Sequence, residues 1–173
     1  AMALQVEDGT GLADAESYVS VADCAAWATK HGKTFPASPA APAEQALRRA
    51  TAWIDGIYGR RFVGARLNGR AQALCWPRTD AEDKDGEEVP SDEVPSEVVT
   101  ATCEAAVREL ASPGILSPDL KRGGAIKSVK AGSVAVEFMG NAPAETTFKA
   151  IDAALAPLLG GVTGTYSGRA VRG

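Results

Sequence analysis

Apolar residues recur along this chain with different periods, and each change of period marks an element. After Ser20, residues Val21, Cys24 and Ala28 fall three and four apart, which predicts a helix to about His31, ended by Gly32. Ser20-Val-Ala-Asp23 reads as a variant capping box, with Ser20 placed to accept from the Asp23 backbone N–H. A second helix is expected over 43–58, with Leu47, Ala50, Ile54 and Ile57 on one face and Gly59 after it. A third spans 95–111, opened by Pro95, with Val99, Cys103, Ala106 and Leu110 aligned. The period then shortens to two. Val134, Val136 and Phe138 alternate strictly after Ala131-Gly132, which predicts a β-hairpin of 125–130 with 133–138. A last helix is expected over 146–159, where Phe148, Ile151, Leu155 and Leu158 share a face before Gly160-Gly161.

Between these elements lie stretches with no period. Residues 2–19 read as a turn-rich lead-in broken by Gly9 and Gly11, and 33–42 as a proline loop. Residues 60–94 show no regular element, which is long for a loop in a compact domain. Leu74, Trp76 and Pro77 are expected to anchor this loop on the helices, Pro77 also breaking local order, and Asp85-Gly86 signals a turn. The expected fold class is therefore mainly α: a small bundle of about four helices with one projecting β-hairpin and a flexible C-terminal tail. The domain runs over 1–159 and the tail over 160–173, which is glycine-rich.

Composition sharpens this picture. The chain is 45% hydrophobic, but alanine supplies much of that share, so the core is lean and its few aromatics matter. The three cysteines are widely separated with no C-x-x-C pair, which suits a reducing compartment. No signal peptide is visible, and no apolar run reaches the roughly 18 residues of a membrane span, so no membrane association is expected.

Charge is distributed unevenly. Residues 48–78 hold seven arginines (Arg48, Arg49, Arg60, Arg61, Arg66, Arg70 and Arg78) against one acid, Asp55, whereas 80–97 hold nine acids and one lysine. The net charge is only −4, so the asymmetry is local. It suits an anionic partner, or the acidic face of a neighbouring copy. Arg48 and Arg49 lie off the apolar stripe with Asp55, and are expected to be exposed. With Arg60 and Arg61 they could form one basic patch, with arginine's planar fork suited to phosphate. Trp53, Tyr58, Phe62 and Trp76 interleave here, as in single-strand binders, although at their helical spacing the core is the simpler place for them.

The search for chemistry is otherwise empty. His31, the one histidine, sits at a helix end, where contact with the last carbonyls is the simpler role. No zinc-ligand spacing exists. The Asp83-Lys84-Asp85-Gly86 run meets only three positions of a calcium loop (Asp83, Asp85, Asp92), with Pro90 inside it, so it reads as a solvated turn. No phosphate-binding glycine motif occurs. No catalytic residue, metal or cofactor is expected, and the chain is not expected to be an enzyme.

Four blocks carry a resemblance. Val6 to Ser20, Ala46-Leu-Arg-Arg-Ala-Thr-Ala-Trp-Ile-Asp55, Gln72-Ala-Leu-Cys-Trp-Pro-Arg78 and the Val94-Pro95 helix start resemble tailed-phage and prophage proteins labelled DnaT-like single-stranded-DNA-binding proteins. The chain also looks like the head–tail connector (adaptor or head-completion) proteins of long-tailed phages. The connector resemblance implies a virion structural subunit, assembled in the bacterial cytoplasm as a ring of about a dozen copies. Its implied partners are the portal, the next tail-side connector protein and DNA passing through the channel. It further implies a C-terminal tail, with Tyr166, Arg169 and Arg172, that docks on the portal. The alternative is a single-stranded-DNA-binding replication accessory, motivated by the arginine patch.

Overall fold

The computed structural model describes residues 3–118, 128–131, 134–137 and 148–160. Four helices form its core. Helix α1 (Val21–Lys30) begins as the sequence predicts, with the Asp23 N–H donating to Ser20 Oγ at 3.1 Å. It ends in a Schellman turn: Lys33 N–H donates to Ala28 O and Gly32 N–H to Thr29 O, with Gly32 at φ 65°. His31 Nδ1 lies 2.8 Å from Trp27 O and its ring stacks on Trp27, so it closes the helix end.

Helix α2 (Ala40–Tyr58) begins three residues earlier than the periodicity indicates. Pro42 lies in its first turn, where a missing N–H leaves no helical bond unmade. Its inner face is Ala43, Ala46, Leu47, Ala50, Thr51, Ile54 and Tyr58. Ile57, expected on that face, is instead 47% exposed, because Tyr58 takes the inward position at that turn. Helix α3 (Ser96–Ala111) is central and packs against α1, α2 and α4 (Lys149–Leu155). Its buried alanines Ala101, Ala105 and Ala106 let three neighbours approach, which explains how a lean composition still closes a core. Helix α4 continues as a 3-10 turn through Pro157, shorter than the helix expected over 146–159.

The mainly helical bundle expected from sequence is corrected to a mixed architecture. Residues 60–94 are not structureless: they contain two antiparallel ladders of two residues per strand. Strand β1 (Ala65–Arg66) pairs with β2 (Arg78–Thr79), and β3 (Ala81–Glu82) with β4 (Glu88–Val89). Asp83 closes the β3–β4 turn, its carboxylate accepting from the Asp85 and Glu87 N–H groups, with Gly86 at φ 82°. Strand β5 (Ser128–Ala131) pairs antiparallel with β6 (Val134–Glu137), which places the expected hairpin in register at Val129 and Val136. Of the tail expected over 160–173, residues 161–173 lie outside the described residues.

Backbone bonds tie 60–94 to the end of the helical core. Val63 N–H donates to Leu158 O, Lys84 N–H to Pro157 O, and Gly160 N–H to Arg61 O at 2.6 Å. The 3-10 turn after α4 therefore braces the base of the long loop.

Candidate nucleic-acid interface

The Gln72–Arg78 block is a scaffold, and its side chains are spent on backbone groups. Gln72 is buried; its Nε2 donates to Leu74 O and Pro77 O, and its Oε1 accepts from Asn68 N–H. Arg78 is buried too, and its guanidinium donates to Val63 O at 2.7 Å, Gly64 O at 2.8 Å and Cys75 O at 3.1 Å. Burial lowers its pKa, yet a guanidinium stays charged, so three carbonyls solvate one cation. Gly64 is required here: at φ 72° a Cβ would lie 2.5 Å from Thr79 O. Leu74, Trp76 and Pro77, expected as loop anchors, are all buried, with Trp76 edge-on to Phe62.

The lead-in braces the same loop. Buried Glu7 accepts from the N–H groups of Gly9, Gly11 and Leu12. The turn it folds receives Asn68 Nδ2, which donates to Thr10 O and Gly11 O, and Ala73 N–H, which donates to Leu12 O.

This scaffold shapes a groove of about 640 Å³ lined by Arg60, Arg66 and Arg70, with Arg78 and Asp55 below and Gly56, Gly59, Gly64 and Gly69 between them. Arg60, Arg61, Arg66 and Arg70 are exposed, and none lies within ion-pair distance of a carboxylate among the described residues. Arg61 stands beside the groove over the Tyr58 ring. Arg66 also reaches the Cys75 thiol at 3.6 Å. Asp55, expected to be exposed, is drawn inward instead: it accepts from Tyr18 OH at 2.6 Å and from Cys75 N–H at 3.0 Å. Burial pushes its pKa up, and those two bonds and Arg66 only partly offset this. Burial, then the Asp55 charge, likewise raises the Cys75 thiol. The groove thus combines outward cations with a carboxylate occupied from behind.

The single patch expected from Arg48, Arg49, Arg60 and Arg61 does not form. Arg48 pairs with Glu16 at 3.0 Å and with Glu44, and Arg49 pairs with buried Glu109 at 2.7 Å. Arg49 also lies roughly 14 Å along the helix axis from Tyr58, the last residue of α2 before Arg60 and Arg61, at 1.5 Å per residue. Arg60 and Arg61 instead join Arg66 and Arg70, whose positions depend on β1 and on the 3-10 turn Gly69–Ala71, neither of which has a periodic signature. The neighbouring aromatics are core. Tyr58, Phe62 and Trp76 are buried, and Trp53 packs edge-on between Tyr58 and Phe148. Tyr166, Arg169 and Arg172 lie outside the described residues. Among the described residues no three His, Cys, Asp or Glu side chains are grouped to hold a metal ion, and no helix is long and apolar enough to cross a membrane.

A groove walled by arginines without carboxylate partners belongs to the class of surfaces that receive anions. Over residues 2–173 the chain matches the family described as "Putative DnaT-like ssDNA binding protein", and it belongs to that family. Comparison with curated proteins and with solved structures gives no match. The family membership corrects the head–tail connector role expected from the sequence: it agrees with the alternative, single-stranded-DNA binding, and not with a virion joint.

Proposed function

We propose that this protein binds single-stranded DNA along the arginine-lined groove, as a non-catalytic accessory to replication. The observation that carries this reading is the set of Arg60, Arg66 and Arg70 on one groove, free of ion pairs among the described residues. Family membership supports the choice of ligand. Other arginines serve the fold: Arg48 and Arg49 are neutralised by acids, and Arg78 is consumed by carbonyls. Among the described arginines, Arg60, Arg66 and Arg70 line one groove with charge to offer a phosphate. The chain's net charge of −4 opposes indiscriminate polyanion binding.

Fluorescence anisotropy with a labelled oligothymidine, titrated with salt, tests the proposal. Binding should weaken linearly in log–log form with salt. The Arg66→Ala/Arg70→Ala pair should reduce that slope by about 1.4, because each single-strand phosphate that an arginine neutralises contributes about 0.7. Absence of binding at low salt would remove the proposal, as would an unchanged slope in the double variant.

A further inference from the structure

Resting on that reading, we infer that the groove recognises the phosphodiester backbone itself and takes no part of the base, so that its ligand is a single-stranded phosphodiester chain irrespective of sequence. Three features of the lining lead there. First, none of its residues is aromatic, so it offers no ring on which a base can stack. The nearby rings are committed elsewhere, Phe62 to Trp76 and Trp53 to Tyr58 and Phe148. Second, apart from the arginines themselves, the lining holds no Asn, Gln, Ser, Thr or His to read a base edge. Its one carboxylate, Asp55, is already bonded to Tyr18 OH and Cys75 N–H. Third, glycines leave the surface between the arginines bare. A Cβ built on Gly56 or Gly69 would meet nothing within 4 Å, so the space in front of them is open. A phosphate could approach close to the backbone there while guanidinium groups of Arg60, Arg66 and Arg70 reach it from the walls. Arginine at a phosphate makes paired N–H···O bonds that are indifferent to the attached base.

The test compares two labelled oligomers of about 20 units, long enough to fill a typical single-strand site, with the full-length chain at low salt. One is oligothymidine; the other carries tetrahydrofuran abasic units on the same backbone. The inference expects dissociation constants within about threefold of each other. Loss of one stacked base alone is worth roughly tenfold, so an abasic oligomer bound tenfold or more weakly would overturn the inference while leaving single-stranded-DNA binding standing. If neither oligomer binds, the functional reading falls and the inference with it. Arg66→Glu/Arg70→Glu, changed at exposed positions, should weaken both oligomers by the same factor. Weakening confined to the base-bearing oligomer would overturn the inference independently.

Discussion

Tyr18 and Asp55 meet at 2.6 Å, the phenol donating to the carboxylate, and so bind the end of the lead-in to the last turns of α2. The Tyr18 oxygen also accepts from Trp76 N–H at 3.2 Å, while the other Asp55 oxygen accepts from Cys75 N–H. Two side chains therefore join three segments far apart in sequence. Burial, followed by the Asp55 charge, raises the Tyr18 pKa well above its ordinary value, so the hydroxyl remains a donor across the working pH range. Tyr18→Phe removes one donor and one acceptor at once. It should cost at least about 2.5 kcal/mol, the low end of a hydrogen bond to a charged group plus a stranded N–H. Urea denaturation checks this; a change under about 0.5 kcal/mol, the size of an ordinary surface substitution, would contradict the linkage.

Arg78 makes the second such joint. Of its three carbonyl partners, Cys75 O belongs to a buried residue while those of Val63 and Gly64 can turn to water, so Arg78→Ala strands chiefly the Cys75 acceptor and a loss of about 1–3 kcal/mol is expected. Arg78→Lys keeps the charge but cannot fork to Val63, Gly64 and Cys75 together, and should recover only part of it. Thermal denaturation of both variants is the measurement. Full rescue by lysine would show that charge alone matters.

Glu104 on α3 gives the fold a pH dependence. Desolvation raises its pKa, but hydrogen bonds from Arg108 and Lys33 outweigh this and hold it below the usual 4.5. A depressed carboxylate contributes stability that is present above its unfolded pKa and lost as pH falls through the folded one. Wild-type protein should therefore lose stability below about pH 4.5 more steeply than Glu104→Gln, whose curve lacks this component. Denaturant midpoints from pH 6 to pH 3 compare the two; parallel curves would exclude the ion pairs as its source.

Gly56 permits a charge test inside the groove without disturbing the fold. It is exposed on α2 with no atom near its missing Cβ, so longer side chains fit. Gly56→Lys and Gly56→Glu should each raise stability by up to about 1 kcal/mol, because glycine is a poor helix residue. Both fill the bare surface that a phosphate would approach, but their effects on oligonucleotide binding should differ: glutamate, one turn before Arg60, neutralises it and should weaken binding well beyond lysine, which adds a cation. Anisotropy at one low salt concentration separates them, and equal affinities would place the DNA elsewhere.

The helices were largely legible because their signals are local. Ser20, Gly32 and Pro95 act within one turn of where they stand, and the structure finds all three at helix ends. Residues 60–94 were not legible, since two-residue strands have no period and the segment is ordered by side chains bonding to backbone. The arginine patch was half legible. Charge density marked the right region, but which arginines stay free depends on Glu16 and Glu109, each 32 or more residues away from its partner. Asp55 was misjudged for a similar reason: its partner Tyr18 lies 37 positions earlier.

The bond from Gly160 N–H to Arg61 O also holds Gly160, the last of the described residues, at the margin of the basic groove. A binding segment grafted at that point would act at high effective concentration on any strand already lying there, since a short tether turns a second encounter into an intramolecular one. That corner is accordingly the natural attachment point for a second module meant to share the same strand.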